Sequence, residues 1–239
     1  MEFRGLGFVP LFIALWCTAW VVVSYTLTVI YGHAPLLMYI SQTGNYYPEN
    51  ITFKIGFLGM SNATLVLMLL QYNFILLHAE AFGARQPMIQ RILLAMGITS
   101  CIGTAVMSVF ETDFYPVTHR VGAFCAFACG CVYNLWQAIL LYEVPGIRRA
   151  ICHIRMVSSA MAFIGVITFI GCRVSVYTKL CTEDYEKIIE IISISTEWLM
   201  LLLILIQLVT CFQPMQHLSL TVSRKGYTIC KRENQDSAV

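Results

Sequence analysis

A chain of 239 residues that is 58% hydrophobic and 12% charged is no ordinary soluble domain, where the shares are roughly 45–50% and 25%. Its formal net charge of +2 is too small to imply a nucleic-acid partner. The charges fall almost wholly between six apolar runs, each close to the roughly 20 residues that cross a bilayer core of about 30 Å.

In chain order the expected spans are 8–31, 55–77, 92–110, 121–142, 156–177 and 192–212. Hydrocarbon offers the backbone no hydrogen-bond partner, so runs of this length must be helices. None alternates as a transmembrane strand would. The first run follows Arg4, but it is too long for the apolar core of a signal peptide and ends without a small-residue cleavage site. It is expected to stay as a span. The fold class is therefore all-α: a polytopic membrane protein, a six-helix transmembrane bundle over 1–213. A short disordered tail, 214–239, follows it.

Charge placement sets the orientation. One set of connections carries Arg4, Arg85, Arg91, Arg148, Arg149, Arg155, Arg224, Lys225, Lys231 and Arg232. The other carries Lys54, Arg120, Arg173, Lys179 and Lys187, diluted by Glu49, Glu111, Asp113, Glu183, Asp184, Glu186 and Glu190. Basic residues stay on the cytosolic side, which puts both termini in the cytosol.

The first connection, 32–54, is the longest; it mixes turn formers and aromatics and is expected to cap the lumenal end. Asn50-Ile51-Thr52 in it is a glycosylation sequon, with Asn50 as acceptor. Asn62-Ala63-Thr64 also matches, but it lies inside the second span, out of reach of the transferase. In the fourth span Gly122, Ala126 and Gly130 recur every four residues and form a face of small side chains for close helix packing. Ala95, Thr99 and Gly103 repeat the device on the third span. Packing within the monomer is the simpler reading, and the oligomeric state stays open. Most of the ten cysteines lie inside spans as small apolar residues. Cys152 and Cys230 sit beside basic residues, a setting that suits reversible palmitoylation.

Polar residues inside spans are the first functional candidates. Glu197 lies about one turn into the last span and Arg173 at a similar depth in the fifth, a candidate buried ion pair. Lys54, Glu111 and His119 form a polar cluster at the same lumenal mouth. A zinc site wants three or four ligands at preferred spacings, and the five histidines contain no His-x-x-x-His pair. There is no Gly-x-Ser-x-Gly elbow and no phosphate-cradling loop with a lysine. No catalytic residue, metal or cofactor is called for, and an enzyme is not expected. Arg148, Arg149, His153 and Arg155 lie beside the inner leaflet. They either contact anionic lipid headgroups or a protein partner, or simply enforce topology. Asn134, Gln137 and Gln207 lie deeper and are explained by interhelical hydrogen bonds. No polar stripe recurs along several helices as a pore would need.

Several short stretches, taken in order, resemble the damage-regulated autophagy modulator (DRAM) family. They are Ser24-Tyr25, Gly32-His33, Tyr39-Ile40-Ser41-Gln42-Thr43-Gly44 with Pro48-Glu49, and Phe110-Glu111 with Pro116 and His119. Gly122-Ala123, Ala126-Phe127, Cys129-Gly130, Tyr133 and Gln137 follow. Cys152-His153-Ile154-Arg155-Met156-Val157 is the most specific, and Lys179-Leu180 and Glu197-Trp198 complete the series. The wider superfamily includes the transmembrane protein 150 group. The resemblance implies six helices with cytosolic termini, residence in lysosomal or plasma membranes, and a role in promoting autophagy without catalytic residues. The chain departs from the pattern at Gln42, Asn50, Arg120 and Arg173, so its lumenal face is less acidic. The expected function is a membrane regulator of autophagy and lysosomal function that acts through membrane lipids or protein partners. The alternatives are a plasma-membrane adaptor organising phosphoinositide synthesis, and a channel or lipid-moving protein.

Overall fold

The structure is a computed structural model that describes residues 2–78, 86–178, 183–216, 218–223 and 226–231. Arg85, Lys179, Leu180, Cys181, Arg224, Lys225 and Arg232 lie outside the described residues.

Six apolar helical stretches long enough to cross a membrane are present among the described residues. They are α1 (Phe8–Ile30), α2 (Glu49–Leu77), α3 (Gln86–Val109), a composite fourth span, α6 (Arg149–Tyr177) and α7 (Glu183–Thr210). The fourth span joins α4 (Pro116–Phe124) to α5 (Gly130–Glu143) through a π-helical turn, Cys125–Cys129. Three helices begin well before their apolar runs. α2 starts at Glu49, α6 at Arg149 and α7 at Glu183, against expected starts at 55, 156 and 192. Apolar length sets what lies in hydrocarbon; it does not set where backbone hydrogen bonding begins. Pro48 at the helix start and Glu49 in the first turn suit the positive end of α2.

The helices form a ring. Each span packs against its neighbours in sequence, and α7 closes the ring against α1. The α3 seam with the fourth span is the tightest. A Cβ on Gly103 would stand 2.5 Å from the Ala126 nitrogen, and one on Gly122 would stand 2.8 Å from the Met107 nitrogen. A π-turn frees backbone groups from the regular ladder. Here the Ser100 hydroxyl donates to the Ala126 carbonyl at 2.7 Å, and a Cβ on Gly130 would meet that same hydroxyl. Gly122, Ala126 and Gly130 thus all lie against α3.

Both chain ends lie on one face. β1 (Glu2–Arg4), β2 (Leu218–Ser223) and β3 (Gly226–Lys231) form an antiparallel sheet, with Phe3 opposite Leu220 and Leu220 opposite Ile229. A short helix, α8 (Phe212–Gln216), leads into it. This corrects the expectation of disorder from residue 214. Leu218 is fully buried, and Leu220 packs on the core. The anchoring strand is the chain's own amino terminus, a partner that the composition of the tail does not reveal.

Candidate functional site

Between α1 and α2 the chain makes a 3-10 turn, Ile40–Gly44, on the face opposite the sheet. Tyr39 N–H donates to Gln42 Oε1 at 2.9 Å, and the Thr43 hydroxyl donates to the Ile40 carbonyl at 2.7 Å. Gly44 is required by space, since a Cβ there would stand 2.6 Å from the Phe53 ring. The first N–H groups of a helical turn lack internal partners. Ile40 N–H and Ser41 N–H donate to the two carboxylate oxygens of Glu197 at 3.0 and 3.3 Å. The next residue of α7, Trp198, donates its indole N–H to the Met38 carbonyl at 3.0 Å. The stretches 39–44 and 197–198, both part of the family resemblance, therefore meet in space and clamp the cap to α7.

Glu197 and Arg173 do not form the expected ion pair. Glu197 is only 8% exposed, and its charge is met by the two backbone donors. Arg173 turns to Tyr39 instead: Nη1 donates to the phenol oxygen at 3.3 Å and the guanidinium stands 5.3 Å from the ring centroid. Aligned amide donors on a fixed turn hold a buried carboxylate without the entropy cost of a long side chain.

The expected Lys54–Glu111–His119 cluster separates. Lys54 donates to Glu111 at 2.5 Å. Burial alone would raise the Glu111 carboxyl, but the Lys54 hydrogen bond and charge, aided by Asn50, outweigh it and hold the group below its usual range. His119 is buried and donates from Nδ1 to the Phe110 carbonyl at 2.8 Å, away from that pair. A separate pair that the sequence did not single out, His33 with Glu49, closes the other side of the cap at 2.5 Å. Asn45 and Asp113 tie the cap to the second connection through Thr112 N–H and the Tyr46 hydroxyl. Asn50 lies in the first turn of α2, half-buried beside Glu111.

On the sheet face, Arg148, Arg149 and His153 are exposed. Arg149 donates to the Tyr142 carbonyl and stacks over its ring at 4.3 Å, while His153 meets the same ring edge-on at 5.5 Å. Arg155 does not join them. It is 2% exposed and donates to the Cys211 sulfur at 2.7 Å, so its expected contact with headgroups is excluded in this fold. The reason is helical phase. Arg149 and His153 share one face of α6, while Arg155, Ser158 and Ser159 share the face that meets Gln207 of α7. Cys152 is also fully buried, which withdraws it as a palmitoylation candidate; the Cys230 side chain lies outside the described residues.

The helix ring encloses a cavity of about 720 Å³. That falls within the range of ligand-binding pockets, about 300–1,000 Å³. Its mouth, under the cap, carries Asp113, Arg120, Arg173, Glu190 and Glu197. Its middle is apolar, with Phe57, Met60, Phe127, Val166 and Met200. Its floor is polar. Tyr133 donates to Gln71 at 2.7 Å, and Gln71 donates to the Cys211 sulfur at 2.9 Å. From Glu190 to Gln207 the lining follows α7 for about 25 Å at roughly 1.5 Å per residue. Sequence reasoning missed this cavity because each helix supplies its polar residues at a different depth, and no single helix shows a stripe. The one available signal was a glutamine near the same end of several spans: Gln71, Gln90, Gln137 and Gln207.

Residues 5–218 match the model of the Frag1/DRAM/Sfk1/Cwh43P N-terminal domain. The chain is 33% identical to DNA damage-regulated autophagy modulator protein 1 of Mus musculus, over 92% of this chain and 95% of that one. It is 26% identical to DNA damage-regulated autophagy modulator protein 2 of Rattus norvegicus, over 82% of this chain and 79% of the relative. It is 28% identical to the Xenopus tropicalis modulator of macroautophagy TMEM150B, over 56% and 58% respectively. No solved structure matches. With a family model covering nearly the whole bundle and a full-length relative at one-third identity, this chain belongs to the Frag1/DRAM/Sfk1/Cwh43P family.

Proposed function

We propose that the chain is a non-catalytic membrane regulator of autophagy and lysosomal function, resident in the lysosomal membrane with both termini in the cytosol. The relatives named as modulators of autophagy support this reading at the level of process. The observation that carries it is the capped cavity of about 720 Å³, whose lid hangs on one residue pair of one helix. That is the build of a receptor: a ligand-sized interior joined to an element whose position it can bias. On the sheet face, Arg148, Arg149 and His153 are free to meet anionic headgroups or a protein partner, each basic residue adding about 1 kcal/mol near a charged leaflet.

The test is deletion in cells that express the chain, followed by rescue. Flux through autophagosomes during starvation should fall on deletion, return with the parent chain, and return only partly with the Arg148→Glu/Arg149→Glu double variant. Unchanged flux after deletion removes the reading. Protease added to intact lysosomes should cut a carboxy-terminal tag; protection of that tag overturns the orientation.

A further inference from the structure

We propose that the cavity houses one phospholipid, admitted sideways through a gap in the helix ring between α4 and α6, with its phosphate held between Arg120 and Arg173. The site holds whether or not the chain regulates autophagy.

The gap follows from the composite fourth span. α5 packs closely on α6, but α4, on the cap side of the π-turn, packs on α3. The turn carries α4 away from α6, and the tight Gly103–Gly122 seam keeps it there. The cavity lining proves the consequence. Phe124 on α4 and Ile170 and Val174 on α6 all line the cavity, yet they are 59%, 40% and 51% exposed. At membrane depth such residues face acyl chains, so the interior is continuous with lipid on this side. An amphiphile can enter there without crossing the cap.

The two arginines flank that gap. Arg120 lies on the second turn of α4 and Arg173 about one turn from the end of α6, so they stand at the same level. Both are exposed and both line the mouth. Among the described residues Arg120 has no hydrogen-bond or ion-pair partner, and Arg173 spends one donor on Tyr39. Two planar forks with spare N–H groups at the hydrocarbon boundary suit a phosphate, which guanidinium binds bidentately. Asp113 and Glu190 share the mouth without pairing either arginine, since among the described residues the ion pairs are Lys54–Glu111 and His33–Glu49. Their carboxylates repel a purely anionic headgroup and suit an amine beside the phosphate. The headgroup is therefore zwitterionic, and an acyl chain runs down the apolar middle towards Met200 and Val166.

Purified full-length protein in phosphatidylcholine nanodiscs, doped with a probe lipid carrying a diazirine on its acyl tail, tests this. Phosphatidylethanolamine should label peptides containing Val166 and Met200 at least fivefold more than diacylglycerol with the same tails. The Arg120→Gln/Arg173→Gln variant should lose that excess while eluting and melting as the parent does, because both side chains are exposed. Val174→Trp, which narrows the gap, should slow the labelling several-fold. Equal labelling by the two probes overturns the phosphate site, as does an unchanged excess in the double arginine variant. Labelling confined to outward residues such as Leu15 and Ile164 overturns the cavity site altogether. Stronger labelling by phosphatidylglycerol overturns the role given to Asp113 and Glu190.

Discussion

At the capped end Glu197 buries a carboxylate against two backbone N–H groups, and Glu111 meets Lys54. At the sheet end Arg155 buries a guanidinium beside a thiol, two serines and a glutamine, with no ion-pair partner among the described residues. Its Nε has no partner, nor has the neighbouring Gln207 Oε1. The two ends therefore differ in what removal of the charge leaves behind. Taking out Glu197 orphans buried donors; taking out Arg155 relieves a group whose own needs are half met. Breaking a compensated buried charge is costly, whereas an apolar group in place of a poorly compensated one is often neutral or better.

The largest expected effect is at Glu197. Glu197→Leu leaves Ile40 N–H and Ser41 N–H buried without acceptors, and each hydrogen bond to a charged group is worth about 1.5–3 kcal/mol. We expect a loss of roughly 3 kcal/mol or more, read as thermal unfolding in detergent, with new protease cleavage in the cap near Tyr46. Glu197→Gln keeps one acceptor and should lose about half as much. The same melting point for Glu197→Leu and the parent would mean that the cap is held elsewhere. Trp198→Phe removes the single donor to the Met38 carbonyl and should cost about 1 kcal/mol.

Arg155→Met is the matching experiment at the other end. It removes the orphaned Nε and keeps most of the stem's volume, so stability should stay within about 1 kcal/mol of the parent or rise. A loss as large as that of Glu197→Leu would reveal a counter-charge in the assembled protein and end the contrast between the two ends.

The same contrast explains what could be read from the chain. Apolar run length is a one-dimensional property, so the six spans and the small-residue seam at Gly122 were legible. Glu197 was also legible, because an acid inside a span demands compensation. Its partner was not: side-chain charge suggested Arg173, and backbone N–H groups have no letter in a sequence. Arg155 was misassigned because basic runs are read as surface, while one residue of helical phase decides between leaflet and core. The cavity was invisible because Gln71, Tyr133 and Gln207 come from three helices, and only packing brings them to one floor. The tail was misread because its anchor, β1, lies at the far end of the chain.

The smallest expected effect sharpens the capped end and carries a sign. The Glu111 carboxyl titrates below its ordinary range because Lys54 stabilises its charged form more than burial disfavours it. A group whose folded value is depressed stabilises the fold above its unfolded value, about 4.3 for glutamate, and loses that contribution as pH falls through the folded value. The pair is partly exposed, so its worth near neutrality is about 0.5–1 kcal/mol. Lys54→Met should lower the melting temperature slightly at pH 7, and the difference from the parent should close as the pH is taken down towards about 3. Glu197→Leu, by contrast, should stay destabilised across neutral pH whether or not Lys54 is present, because its orphaned donors are amides that do not titrate. A Lys54→Met deficit that persists unchanged at the lowest pH would show that the lysine acts through packing of its stem on α2, and the capped end would then rest on Glu197 and Trp198 alone.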